Sequence, residues 1–534
     1  MKKRNTTDLA EVSGNLLRLL VSGYVLALFA VLPLLYHDRY YDMGEFKFAL
    51  YERQTWILAA GAGIIGLVIM VSYCMKEWRV GSLTADIKAL PGKFILTDWF
   101  ALGYAVSVLI SYILSSYQTD ALKGYKGWYM GTLSQLSFVL LYLLVSRYWI
   151  KNLRNHFLWV AGISSAITFL LAVLHRFRID PLAMYEGLQD YYYIQFLTTV
   201  GQATWYSGFL CTVFPIGLIL FWHCNQRWQR ICLGIYCMIG YASLVTQNSD
   251  SAFAALATVW VVLFFLSLDS TKDFCRLLEV IILGLGTMRV VGLLQMAFPD
   301  RAVSLDTLSL FWSQHVSLWI ILAALIMLYI LLMYQEDRHG FEIASVSWIR
   351  DMAAWLVVIC LVLGIGLMIL TTKGGLPDFL AGLYEVPYLV WNHSWGNQRG
   401  FTWSLSMEMF MEYPLKEKLI GVGSDCYALY LYDHYQNEVA PVFGQSILAN
   451  AHNEWMNMLL NQGLFGLTTY LGFFIGALTR LLRGNDRNIM TTAVAACIFS
   501  YMIHNFFCYQ QVMCTPLIFI LAGMGVRYLA VDKN

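Results

Sequence analysis

Few side chains in this sequence are suited to chemistry, and the most suggestive lie late in the chain. In Asn450-Ala451-His452-Asn453-Glu454-Trp455-Met456, a single histidine precedes Trp455, Met456, Leu459 and Leu460, which share one face at helical spacing. Asn453 suits the cap of that helix and Gly463 its end. An imidazole there, with an unperturbed pKa of about 6.5, is suited to proton transfer. The alternative is a histidine hydrogen-bonded at a helix start. Upstream, Arg399-Gly400-Phe401-Thr402-Trp403 opens an amphipathic segment that runs on to Gly421-Val422-Gly423. Arg399 has the planar fork of donors that grips a phosphate; the alternative is an exposed arginine that snorkels. The two glycines suit a tight turn or a close backbone approach.

Three more arginines stand in unusual settings. Arg289 lies deep in the apolar run Ile281–Val291, where a charge costs about 2.5–3.5 kcal/mol. It either faces a cavity or pairs with an acid such as Asp250. Arg176 and Arg178 start a polar segment, where they either attract an anionic head group or anchor the chain at the interface. No metal-ligand set, Gly-rich phosphate loop or Ser/His/Asp grouping accompanies these residues.

The elements that position them must be membrane helices. Hydrophobic residues make up 59% of the 534 and charged residues 13%, against roughly 25% charged in a soluble domain. The mean hydropathy is +0.59. A soluble cytosolic enzyme is excluded. A net charge of +1 gives no basic face for nucleic acid. The eleven cysteines show no CxxC pair, and most sit in apolar runs.

Fourteen apolar runs read as spans, at roughly 14–35, 54–74, 96–116, 129–148, 157–175, 205–224, 231–247, 252–268, 277–297, 308–334, 352–372, 464–482, 488–507 and 514–531. Interrupted runs put the count at about twelve to fourteen. The first is too long for a signal peptide and lacks a small-residue cleavage site, so it is expected to remain as a helix. Counting Lys and Arg in alternate connections gives about 21 inside and about 12 outside with both termini in the cytoplasm. The expected fold is all-α and polytopic. Residues 1–200 hold the N-terminal helices, 201–371 the central ones, 372–463 a long outer loop with the chemical motifs, and 464–534 the C-terminal helices. The loop carries Trp391, Trp395, Trp403, Tyr427, Tyr430 and Tyr432, a composition that argues for order. ATP is absent on the outer side, so group transfer there needs a pre-activated donor. A pyrophosphate-linked lipid fits, since arginines neutralise the leaving group without a metal.

At these residues the sequence resembles the O-antigen ligase and polymerase family of bacterial glycosyltransferases. The spacing from His452 to Gly463, with Gly466 following, is similar to the family's histidine–ten residues–glycine signature. Arg399, Trp403, Gly421 and Gly423 look like its loop-arginine pattern, and Gly201-Gln202-Ala203-Thr204 like its entry into a span. The chain departs at Asn248-Ser249-Asp250-Ser251, where the family often carries Ser-Arg-Gly. The likeness covers roughly residues 200–530.

The resemblance implies a helical membrane enzyme of the bacterial cytoplasmic membrane whose outer loop forms part of the active site. It implies transfer of an oligo- or polysaccharide from undecaprenyl pyrophosphate to an acceptor hydroxyl, with no metal, nucleotide or other cofactor. The acceptor is a glycolipid core or protein for a ligase, and another lipid-linked repeat unit for a polymerase. It implies His452 as general base and Arg399 as the stabiliser of pyrophosphate, with Arg289, Arg178, Arg176, Asn453, Trp403, Gly463 and Gly466 around the substrates. Because Asp250 stands where an arginine is expected, Arg289 or Arg178 would supply the second cation. A lipid or polysaccharide transporter explains the spans but not the His452–Gly463 spacing, and a binding subunit would tolerate loss of His452 and Arg399.

Overall fold

A chain this apolar must pair its backbone polar groups internally wherever lipid replaces water, and helices do so. The computed structural model describes residues 9–80, 90–346, 348–483 and 488–530. It is helical nearly throughout. The helices run α1 Leu9–Val31, α2 Met43–Val80, α3 Leu96–Leu114, α4 Gln118–Lys123, α5 Thr132–Tyr148, α6 Arg154–Arg176 and α7 Tyr192–Gln195. They continue with α8 Ala203–His223, α9 Arg227–Thr246, α10 Asp250–Ser267, α11 Thr271–Ala297, α12 Thr307–Gln314, α13 Ser317–His339 and α14 Trp348–Lys373. The last group is α15 Trp395–Glu412, α16 Leu415–Ile420, α17 Tyr427–Phe443, α18 Glu454–Arg483, α19 Ile489–Phe506 and α20 Thr515–Leu529. One two-residue antiparallel ribbon, β1 Phe196–Leu197 with β2 Gly201–Gln202, leads into α8.

A helix stands on each of the fourteen apolar runs. Among the described residues, eleven helices are long and apolar enough to cross a membrane by length and composition. The remaining three, α5, α9 and α20, pack into the same bundle against α20, α6 and α5 respectively. One expected run is corrected: 308–334 is not one helix but two. Asp306 caps α12, its carboxylate accepting the Ser309 N–H at 2.8 Å, and the chain breaks at His315-Val316 before α13. The expectation of cytoplasmic termini falls partly on Lys2, Lys3, Arg4, Lys88 and Arg487, which lie outside the described residues.

Burial sorts the bundle. The apolar window of α8 is 83% buried and that of α14 0%, so α8 is a central helix and α14 a peripheral one. The long loop has its own core, in which Phe401, Leu405 and Met409 of α15 pack with Tyr413, Tyr427 and Leu431. Leu460 of α18 and Ala121 of α4 join that core and dock the loop on the bundle.

The docking seam explains the glycines. Val422 N–H donates to the Leu460 carbonyl at 3.2 Å and Gly423 N–H to that of Asn461 at 3.0 Å. Gly421 has φ 75°, and a Cβ there would come within 2.2 Å of Asn461 backbone. Gly463 has φ 69° and ψ −170°, and its Cβ would come within 2.3 Å of the Leu419 backbone. Only glycine tolerates both that dihedral and that approach. The break at Gly463 divides α18 into a short N-terminal helix and the span proper. Gly-Val-Gly therefore serves backbone packing.

Candidate functional site

The short helix places His452. Asn453 caps it, its side-chain oxygen accepting the Met456 N–H at 3.1 Å. His452 itself adopts a left-handed φ of 48°, a conformation that an L side chain occupies at a cost of roughly 1–2 kcal/mol. Its N–H donates to the Asn450 side chain at 2.9 Å. The ring stands edge-on to Tyr509 at 5.2 Å, and among the described residues neither ring nitrogen has a hydrogen-bond partner. Burial, and after it the neighbouring Arg399, pulls the imidazole pKa down to about 4. The ring is therefore neutral at pH 7 and carries a free lone pair.

Arg399 follows three left-handed residues, Gly396, Asn397 and Gln398, with φ of 57°, 60° and 66°. That reversal lets the guanidinium fold back. Nη1 donates to the Gly396 carbonyl at 2.6 Å and Nε to the Phe507 carbonyl at 3.1 Å. Nη2 has no protein partner among the described residues. The group is held in place with donors to spare. One turn on, Trp403 Nε1 donates to the Ala451 carbonyl at 2.9 Å, and its ring packs against Phe506 and Phe507.

The structure thus brings His452, Asn453, Arg399 and Trp403 together, with Gly463 shaping the helix that carries the histidine. Gly466 leaves room for Gln462, whose Cβ would lie 2.1 Å from a side chain there. The other arginines are engaged elsewhere. Arg178 pairs with Asp190 through two contacts at 3.1 and 3.2 Å. Arg176 is fully buried and donates to the carbonyls of Thr246 at 2.5 Å and Ile194 at 3.1 Å. Arg289 donates to the Ser313 carbonyl at 2.9 Å and lies over the Trp319 ring. It does not pair with Asp250, the partner weighed from the sequence: Asp250 accepts from the Tyr388 hydroxyl at 2.6 Å. Asp250 also lies within electrostatic reach of Arg399.

Sequence reasoning missed what lies beneath. His504 Nδ1 is 2.6 Å from the Asn505 side-chain oxygen. An amide oxygen only accepts, so Nδ1 carries the proton. Nε2 lies 2.8 Å from the Ser207 hydroxyl, within hydrogen-bond distance. Asn505 donates to Glu454, whose carboxylate also takes the Tyr501 hydroxyl at 3.0 Å. This buried chain braces the turn that supplies the Phe507 carbonyl and the Tyr509 ring. Its signal was available: ionisable residues at membrane depth are functional candidates. Gln202 enters as well, accepting from the Tyr509 hydroxyl at 3.1 Å. No cluster of three or more His, Cys, Asp or Glu suited to a metal occurs among the described residues, and the eleven cysteines are free thiols.

Fold and site together define an all-α, polytopic membrane protein in which an ordered long loop brings Arg399 beside His452. Residues 302–471 match the family model described as O-antigen ligase, which supports the O-antigen ligase/polymerase family for this chain. The matched stretch includes Arg399, Trp403, His452, Asn453, Gly463 and Gly466, and begins downstream of Arg176, Arg178 and Arg289, which lie outside it. No curated protein matches the chain.

Proposed function

We propose that this protein transfers an oligo- or polysaccharide from undecaprenyl pyrophosphate to an acceptor hydroxyl, on the outer face of the cytoplasmic membrane. The observation that carries the reading is the pairing of a neutral imidazole, its ring nitrogens unengaged, with a fixed guanidinium that keeps a free donor. In the reaction, His452 takes the acceptor proton as the acceptor oxygen bonds to the anomeric carbon. The bond from that carbon to the pyrophosphate oxygen breaks, and its electron pair leaves on the pyrophosphate. Arg399 meets the charge that develops there.

Base catalysis of this kind contributes about 10²–10⁴ in rate, and one preorganised donor at the developing charge about 10²–10³. Arg399 also helps hold the imidazole unprotonated, so one cation serves both ends of the reaction. With both termini inside, as the Lys/Arg asymmetry supports, the long loop faces outward, where lipid-linked glycans are the activated donors. The test is reconstitution with undecaprenyl-pyrophosphate-linked glycan, reading released undecaprenyl pyrophosphate. Turnover that depends on His452 and Arg399 is expected; none from a folded protein would remove the reading.

A further inference from the structure

Arg399 has a neighbour of opposite charge. Asp250, the first residue of α10, lies within its electrostatic reach. Two contacts show how they come together. Arg399 Nε donates to the Phe507 carbonyl at 3.1 Å, and the next residue, Cys508, has its thiol 3.4 Å from the Ser251 hydroxyl. Ser251 directly follows Asp250. The carboxylate therefore stands beside the turn that holds the guanidinium.

One oxygen of Asp250 is occupied and the other is not. Oδ2 accepts from the Tyr388 hydroxyl at 2.6 Å, and Oδ1 is buried without a hydrogen-bond partner among the described residues. Tyr388 belongs to the long loop, and its carbonyl takes the Trp395 indole N–H at 3.0 Å. The first turn of α10 favours a negative charge at Asp250. Asp306, the cap of α12, is a second carboxylate within reach of it. Fully buried Arg176 lies within reach of Asp306 and balances that charge, which leaves Asp250 to face Arg399.

Transfer changes the charge that Arg399 meets. In the donor the pyrophosphate is a diester, with one charge on each phosphate. When the bond from the anomeric carbon to oxygen breaks, its electron pair stays on that oxygen, while the acceptor proton goes to His452. The terminal phosphate then rises to about −1.5 to −2 at pH 7. A cation alone would hold this product more tightly than the donor. A carboxylate beside the cation opposes that preference, because a Coulomb energy scales with the charge it acts on. The part-formed charge of the transition state is penalised less than the full charge of the product.

We propose that Asp250 promotes product release, its carboxylate beside Arg399 weakening the binding of undecaprenyl pyrophosphate relative to the sugar-bearing donor. The inference rests on the transfer reaction proposed above.

The test measures binding of undecaprenyl pyrophosphate and of its glycan-linked form to the purified full-length protein in detergent, by thermophoresis without acceptor. Asp250→Asn keeps the shape and the Tyr388 contact but loses the charge. It is expected to tighten product binding by about tenfold and donor binding by about threefold. Asp250→Glu is expected to keep the product-to-donor ratio near that of wild type. Damage to the fold weakens both ligands, so a gain for the product is not a structural effect. Tyr388→Phe keeps the charge and frees the carboxylate to turn to Arg399. Product binding is then expected to weaken by about threefold, with donor binding changed less. Thermal unfolding checks each variant, and if Asp250→Asn fails to fold, the ratio in Tyr388→Phe decides. A ratio unchanged in Asp250→Asn, a loss of affinity for both ligands, or an equal shift in Asp250→Glu overturns the proposal. Turnover with added acceptor is read on the same preparations. Turnover with an unchanged ratio overturns the role of Asp250 and leaves the reaction standing. Failure of folded wild-type protein to bind either ligand overturns the reaction and this role with it.

Discussion

Trp403 and Ala451 are joined by a hydrogen bond, indole N–H to carbonyl oxygen, at 2.9 Å. One residue belongs to the helix that carries Arg399 and the other immediately precedes His452. A half-buried indole needs a partner for its N–H, and here that partner couples the long loop to the mouth of α18. The segments that carry base and cation are thereby joined by a contact that neither residue makes itself.

Trp403→Phe removes that bond while keeping a ring against Phe506 and Phe507. Leaving the Ala451 carbonyl unpaired is expected to cost about 1–3 kcal/mol. Because the contact positions the site, kcat should fall about tenfold or more while KM for donor changes little. Steady-state kinetics with varied donor decide it; a pure KM effect would make Trp403 a donor contact.

The pH dependence follows from the depressed histidine. His452 must be unprotonated to act, its pKa is lowered to about 4, and activity is therefore present above that value and lost as pH falls through it. The kcat/KM profile reports the free enzyme, so its acid limb should lie near pH 4. Bound pyrophosphate offsets the charge of Arg399, which raises the histidine pKa in the complex. The acid limb of kcat should thus sit at higher pH than that of kcat/KM. His452→Gln should lose about 10²–10⁴ in rate and the limb itself.

Arg399→Lys keeps the charge but not the fork that reaches Gly396, Phe507 and substrate together. It is expected to retain intermediate turnover, with Arg399→Ala about 10²–10³ below wild type. The alanine variant should also move the kcat/KM acid limb upward, since one cause of the low histidine pKa is gone. Rate loss with an unmoved limb would separate the two roles and discard the second.

Arg289 and Arg178 should behave as structural residues. Arg289→Gln loses the bond to the Ser313 carbonyl and the contact with Trp319, and is expected to lower the unfolding temperature while folded protein keeps its kcat. Arg178→Ala breaks an exposed pair worth about 0–1 kcal/mol and should change neither. A loss of donor affinity in either variant at unchanged stability would return that arginine to the substrate path.

The helices were legible because lipid leaves an apolar run few other ways to pair its backbone. Asn453 and Gly463 were legible for a similar reason, since a cap and a helix stop are local chemistry. Arg399 and His452 could be named separately, but their meeting depends on Trp403 and on the glycine seam between residues 421–423 and 460–463, which are long-range contacts without a periodic signature. Asp250 was misjudged as a partner for Arg289 because spacing along the chain says nothing about which tyrosine folds over a carboxylate.

Helix α14 shows what a membrane permits that water does not. Thr371 is its only buried residue, yet it is tied at both ends, by Arg350 to Asp269 at 2.7 Å and by Thr372 to the Trp391 N–H at 2.9 Å. Lipid is its solvent on nearly every side, so its fold needs no shape-matched neighbour. What the helix contributes is reach. At about 1.5 Å per residue its 26 residues span about 39 Å, more than the roughly 30 Å of hydrocarbon. It acts as a mast stepped in one leaflet and stayed at the other, and much of its middle is interchangeable with any apolar sequence of equal length.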